Sequence, residues 1–230
     1  MKTQTVFVAT GATVDVLQGF SFANESHVYL TNTVLRMCKE VKGGSFGCDN
    51  GALELHAGSR LVVTNRWVMT GDNFTIRLDD STLEADIPNN WFITGAGTNP
   101  GTGNRTFVFE GARPGLTTSG TGFFLRGESV RLVFNLGAEG FPMDRAVVDV
   151  QGAGVFRADS KETNLVSVNV AADCPEGTYT LMRGTNAGTF LNADRYVLTC
   201  AEGRKARLIR EDDSVSVKVK LPRGAVLVLR

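Results

Sequence analysis

Short runs in which apolar and polar residues alternate return along the chain at a nearly constant stride. Their first apolar residues are Val28, Leu53, Phe74, Phe107, Val130 and Val155, giving steps of 25, 21, 33, 23 and 25 residues. The long step contains the Gly- and Thr-rich stretch Gly95–Asn104; with those ten residues set aside it falls to 23. Alternation bounded by turn residues predicts half-buried β-strands. Self-similarity at a period of roughly 20–50 residues predicts a solenoid, propeller or array. No sustained i, i+3, i+4 pattern occurs, so helix is expected to be scarce.

Each step divides into about three runs. The clearest is Leu53–Leu55, Leu61–Val63 and Trp67–Met69, closed by Gly71, followed by Phe74–Ile76, Leu83 and Trp91–Ile93, closed by Gly95. Three strands per turn at this stride predict a right-handed parallel β-helix (β-solenoid), with equivalent residues stacked about 4.8 Å apart. Aligning the runs on their first apolar residue gives one inward column of Leu53, Phe74, Phe107 and Val130. A second holds Leu55, Ile76, Phe109 and Leu132. On the outside, Arg77 and Glu110 should face one another. An antiparallel sandwich also uses short strands and Gly-rich turns, but gives no reason for columns to match over four consecutive steps.

After residue 170 the pattern changes to alternating strands with tight links: Gly177–Leu181, Tyr196–Thr199, Lys205–Arg210, Ser214–Leu221 and Ala225–Arg230. Glu211–Ser214 and Pro222–Gly224 have the composition of hairpin turns. A solenoid end exposes backbone groups and core, so a mostly antiparallel C-terminal β cap is expected there. The chain is therefore read as one continuous all-β domain. Residues 1–26 form a first coil or N-terminal cap, 27–170 the coils and 171–230 the cap.

Coils of this kind, closed by a Gly-Thr-Tyr-Thr-Leu strand (Gly177–Leu181) and ending in Gly-Ala-Val-Leu-Val-Leu (Gly224–Leu229), resemble the β-helical passenger regions of bacterial autotransporter-like surface proteins. The resemblance covers about residues 27–230 and rests on pattern rather than on a catalytic motif. It implies secretion or display at the cell surface, a stalk or adhesin role, and often no enzymatic activity. No segment here has the character of the membrane barrel of such proteins.

Composition narrows the picture further. The 230 residues are 42% hydrophobic and 21% charged, with a formal net charge of zero. This suits a single soluble β domain with a sizeable core and argues against a nucleic-acid partner, which normally needs a basic face. No apolar run approaches the length needed to span a bilayer. The first ten residues lack a continuous apolar stretch, which leaves either a cytosolic protein or, the favoured reading, a mature or trimmed form without a signal peptide. Four cysteines are spaced as two local pairs: Cys38 and Cys48 flank a Gly-rich loop, while Cys174 and Cys200 bracket two strands. They are candidate disulfides of an oxidising compartment, or else four unpaired small core residues.

Candidate chemistry is sparse. Right-handed β-helices also carry polysaccharide lyases and hydrolases, which need acidic groups for Ca²⁺ with a basic residue, or paired carboxylates. Asp79 and Asp80 with Glu84 and Asp86, near Arg77 and Arg105, are the acidic candidates, although Asp79–Ser81 reads more naturally as a turn. Asp144 and Asp149 have no evident partner column. His27 and His56 are isolated, no C-x-x-C occurs, and neither a metal nor a cofactor is expected. The Gly95–Asn104 loop lacks the Lys and following helix of a phosphate cradle. As an insertion on a repetitive scaffold it is nevertheless the favoured place for binding, with Trp91, Asn99 and Arg105 the candidate contacts to a carbohydrate or host-surface ligand. Three functions remain in view: a non-enzymatic stalk or adhesin, a carbohydrate-active enzyme, and an element that self-associates into fibres.

Overall fold

The computed structural model describes residues 6–16, 20–22, 26–37, 46–48, 51–64, 67, 73–88, 90–94, 104–126, 129–159 and 161–221. Within them the repeats appear as successive tiers of strands. The first tier holds β1 (Val6–Thr10), β2 (Thr13–Val16) and β3 (Phe20–Phe22), and the second β4 (His27–Thr31), β5 (Val34–Met37) and β6 (Phe46–Cys48). The third contributes β7 (Ala52–His56) and β8 (Arg60–Thr64), and the fourth β9 (Phe74–Asp79), β10 (Thr82–Asp86) and β11 (Trp91–Ile93). The fifth holds β12 (Asn104–Glu110), β13 (Gly115–Thr118) and β14 (Gly122–Leu125). The sixth holds β15 (Ser129–Leu136), β16 (Val148–Val150) and β17 (Val155–Ala158). Then follow β18 (Leu165–Val170), β19 (Gly177–Arg183), β20 (Tyr196–Cys200), β21 (Lys205–Glu211) and β22 (Ser214–Lys220). The only helical element among the described residues is the 3-10 turn Ala193–Arg195.

Pairing runs from tier to tier. One sheet has the order β1-β4-β7-β9-β12-β15-β18-β20 and is parallel throughout. A second, β2-β5-β8-β10-β13-β16-β19-β22-β21, is parallel as far as β19 and antiparallel beyond it. A third face joins β11, β14 and β17, and a short one joins β3 and β6. The fold is thus all-β with stacked parallel sheets, an arrangement compatible with a β-solenoid. No helix among the described residues is long and apolar enough to cross a membrane.

The inward columns are apolar, with a register two residues away from the expected one. Leu53 lies beside Ile76, Ile76 beside Phe107 and Phe107 beside Leu132. Phe74 and Val130 instead flank Arg105. A slip of two keeps every side chain on its face, because the pleat has period two, so burial is as anticipated while the partners change. Between β4 and β18 the columns run Val28-Leu53-Ile76-Phe107-Leu132-Val166 and Leu30-Leu55-Leu78-Phe109-Phe134-Val168, and every member is fully buried. Outside, Arg77 lies across from Val108 and reaches Glu110 diagonally through Nη1, so the expected pair forms with a different geometry.

Inside the third face an aromatic column crosses five tiers. Ring centroids are 4.6 Å apart for Trp67–Phe92, 5.1 Å for Phe92–Phe123, 5.6 Å for Phe123–Phe156 and 5.3 Å for Phe156–Phe190. The first two contacts are stacked, with interplanar angles of 15° and 9°. Such offset pairs add about 0.5–1.5 kcal/mol each beyond area burial.

Between the first and second sheets the chain turns a corner, where strand pairing stops and backbone N–H groups need other acceptors. A buried hydroxyl ladder supplies them. The amide of Thr33 donates to Ser59 Oγ and that of Ser59 to Ser81 Oγ, both at 3.1 Å. Each serine hydroxyl then donates back within its own turn, Ser59 to the His56 carbonyl (2.7 Å) and Ser81 to that of Asp79 (2.8 Å).

Beyond residue 170 the parallel arrangement persists further than expected. Strand β20 extends the first sheet in parallel beside β18, and β19 pairs in parallel with β16. Antiparallel pairing is confined to β19, β22 and β21, while Pro222–Arg230 lies outside the described residues. The β22 strand lays Val215, Val217 and Val219 over the core beside Tyr179 and Leu181. Tyr179 donates to the Pro175 carbonyl at 2.9 Å and Tyr196 to that of Ala187 at 3.2 Å. Burial is the main cause that pushes both phenols up to about 12; the nearby Cys174 reinforces it at Tyr179, while Arg204 and Arg210 oppose it at Tyr179 and Tyr196 respectively.

Two measurements check this packing. Phe123→Ala opens the middle of the aromatic column and should cost about 3–5 kcal/mol in denaturant-induced unfolding. Phe124→Ala, on the outward face of the same strand, should cost clearly less. For the tyrosines, a raised folded pKa means that neutral phenols stabilise the fold fully below pH 10, the unfolded value. That contribution disappears as pH rises from about 10 towards about 12. An ultraviolet titration should therefore show these two phenolates appearing late and together with loss of native circular dichroism. Two phenols ionising near pH 10 in folded protein would contradict the burial described.

Candidate binding surface

The sequence candidates separate in the structure. Asn99 lies outside the described residues, as does most of its loop. Arg105 is only 1% exposed, turned inward between Phe74 and Val130, with Nη1 donating to the Arg126 carbonyl at 3.4 Å. This corrects its expected position on the surface: it shares the parity of Phe107 and Phe109 along β12, and the strand's alternation takes it inside. Trp91 is half-buried on the outward side of β11.

Trp91 has company. On the third face it aligns with Gly122 and Val155, and Ile93 aligns with Phe124 and Arg157. The Trp91 and Phe124 rings lie 5.6 Å apart at 59°, and the Arg157 guanidinium carbon sits 4.9 Å from the Phe124 centroid. Gly122 makes this possible. A Cβ there would fall 2.0 Å from the Val155 carbonyl oxygen and 2.8 Å from Trp91 Cζ3. The next turn is fastened by Thr94, whose hydroxyl accepts from the Arg126 amide at 3.1 Å, and by an Arg126–Asp159 contact at 3.7 Å. The outcome is an outward strip of two aromatic rings ending in a cation, placed where the Gly95–Asn104 loop leaves the scaffold. Aromatic faces and a guanidinium suit the apolar face of a sugar and its acidic or hydroxyl groups. Phe124 and Arg157 escaped the sequence reading, although carrying the column alignment into the third run of each tier would have placed both beside Trp91.

The acidic candidates are engaged elsewhere. Asp79 and Asp80 form the link from β9 to β10; Asp79 Oδ2 lies 3.1 Å from His56 Nδ1, and Glu54 Oε2 lies 3.3 Å from His56 Nε2. Glu84 receives Arg60 through two bonds of 2.6 and 2.5 Å, and Asp86 accepts from Ser119 at 2.7 Å. Asp149 has a partner column after all, receiving Arg183 through two bonds of 2.9 Å. Asp144 lies on residues 137–147, an excursion between β15 and β16 that lines a cleft of about 550 Å³ against the earlier corners. The cleft is also lined by Asp80, Arg113 and Arg145, and Asp80 carries a buried carboxylate oxygen without a hydrogen-bond partner.

Among the described residues no group of three His, Cys, Asp or Glu is arranged to hold a metal ion. Cys174 and Cys200 are free thiols rather than the expected disulfide. Cys174 is buried with its Sγ directed at the Pro175 carbonyl (3.6 Å), and burial pushes its thiol pKa up. Cys38 lies outside the described residues, and of Cys48 only its place at the end of β6 is described. No family model, curated protein or solved structure matches the chain.

Proposed function

We propose that the chain is a right-handed parallel β-helix that serves as a non-enzymatic module, secreted or held at a cell surface, with a stalk or adhesin role. Glycan contact falls on the Trp91–Phe124–Arg157 strip. The observation carrying this reading is the use made of surface carboxylates. Glu54, Asp79, Glu84, Glu110 and Asp149 each meet a cationic side chain or a histidine on another strand. They act as rungs of the scaffold. The aromatic strip, by contrast, leaves apolar area on the outward side that the core does not require. The autotransporter-like resemblance agrees with this reading, while the free Cys174 and Cys200 lend no support to an oxidising compartment.

A carbohydrate-active alternative draws on one feature, the cleft under residues 137–147, where Asp80 and Asp144 stand with Arg113 and Arg145. The readings part in one set of assays. Polysaccharides of plant, algal and animal origin are incubated with the protein, with and without Ca²⁺, and assayed for new reducing ends and unsaturated products. The expected result is no turnover, with retardation of at least one glycan in affinity electrophoresis. Trp91→Ala should weaken that retardation about threefold to tenfold, the equivalent of losing one aromatic contact of about 0.5–1.5 kcal/mol. Turnover abolished by Asp80→Asn with Asp144→Asn would overturn the proposal in favour of the cleft.

A further inference from the structure

Among the described residues, most outward cations of the parallel sheets meet a carboxylate on a neighbouring strand, while Arg131 and Arg157 do not. Arg36 meets Asp15 at 3.2 Å, Arg60 meets Glu84, Arg77 meets Glu110, and Arg183 meets Asp149. The antiparallel hairpin departs from that pattern. Lys205 lies directly opposite Lys220, and Arg207 directly opposite Lys218. All four point away from the core, since the alternate residues Ala206, Leu208, Val217 and Val219 pack against it. None of the four forms an ion pair among the described residues. Glu176, which lines the same shallow depression of about 790 Å³, is occupied by the Leu221 amide at 2.5 Å. Glu211, at the turn end of the hairpin, accepts from Ser214 Oγ at 3.2 Å.

Like charges directly opposite one another destabilise a strand pair, so the arrangement calls for a reason. Lysines often guard exposed sheet edges against pairing with other chains, which would account for Lys205 on the outer strand β21. It does not account for Lys218, because β22 is paired with β19 on one side and β21 on the other. We infer that this face binds an acidic polysaccharide through its carboxylate or sulfate groups.

Three features select that class. Strand spacing of about 4.8 Å and a same-face repeat of about 6.8 Å put the four charges within reach of adjacent anionic sugar units. Thr178, in register with Lys218, and Ser216 beside Thr180 add hydroxyls to the same face, which suits a polyhydroxylated chain. The outward positions of β21 and β22 hold no aromatic residue on which a nucleic-acid base would stack. Because β22 continues into a nine-stranded sheet, the hairpin also cannot enter a groove as a free ribbon. A membrane would favour an apolar wedge among the cations, and Ile209 is the one apolar residue at those outward positions.

The surface lies on a different sheet from Trp91, so the two sites are tested separately. Affinity electrophoresis and calorimetry use heparin and polygalacturonate as acidic probes, dextran as the neutral one, with phosphatidylserine vesicles and single-stranded DNA as competing anions. The expected result is binding to an acidic glycan that weakens steeply with salt and is unchanged by Trp91→Ala. Combined Lys205→Gln, Arg207→Gln, Lys218→Gln and Lys220→Gln should weaken it at least tenfold while the melting temperature stays level or rises as the repulsion is relieved. Should the fourfold variant fail to fold, Lys205→Gln with Arg207→Gln on the outer strand should still weaken binding severalfold. No acidic-glycan binding at low salt would overturn the inference. So would affinity unaffected by the folded variants, or tighter binding to vesicles or DNA than to either glycan.

Discussion

Apart from β22 in the hairpin, each strand inside the long sheets is hydrogen-bonded on both sides to strands about one repeat away in sequence. A residue's closest neighbours are therefore its counterparts in the tiers before and after, and the sequence must satisfy that stacking at every position. Inward columns have to be apolar along their whole length, because a single polar entry would be desolvated between two apolar layers. Among the described residues Arg105 and Thr118 depart from this: the Arg105 guanidinium is directed to the carbonyl of Arg126, where the chain leaves the third face, and the Thr118 hydroxyl accepts from the Gly120 amide. The corner hydroxyls obey the same constraint: Thr33, Ser59 and Ser81 are small enough to be buried and polar enough to serve the amide of the preceding tier.

The aromatic column shows how this repetition becomes stability and then surface. Trp67, Phe92, Phe123, Phe156 and Phe190 stack because their strands or turns arrive at the same place in five tiers. The residue after each of the strand positions Phe92, Phe123 and Phe156 must then point outward. Ile93, Phe124 and Arg157 consequently form a column of their own on the other side of the same strands. An outer strip of this kind needs no separate folding instruction. Its composition is free to vary for recognition while the inner column carries the packing.

Much of this was legible from the stride alone: the all-β character, the parallel stacking of the tiers and the inward sides of the strands. Register was not, because alternation fixes a face and leaves slips of two residues undetermined. Phe74 and Val130, taken as equivalents of Leu53, are extensions of longer strands and have Arg105 for a neighbour. Arg105 itself was misplaced by its chemistry, since residue type suggested the outside while its spacing from Phe107 indicated the inside. The 137–147 excursion hid because Val155, counted as the start of a new turn, lies on β17 of the third face; the first-sheet counterpart of Leu132 is Val166 on β18, so that tier is a long one. Neutral overall composition concealed the hairpin, where four cations gather unanswered.

That concealment follows from the geometry of parallel stacking. In a column of side chains spaced by the strand separation, repeated like charges repel at every step, so alternating signs are the stable solution. Asp15 with Arg36 and Asp149 with Arg183 illustrate it on the second sheet. An antiparallel hairpin at the margin has a neighbouring tier on one side only, which relaxes the requirement for alternation. Cations there impose a limited cost on a scaffold whose stability resides in the tiers behind them. If charge is to be concentrated anywhere on this molecule without disturbing the stack, the β21–β22 margin is the position at which the fold tolerates it, and that is where the sequence places it.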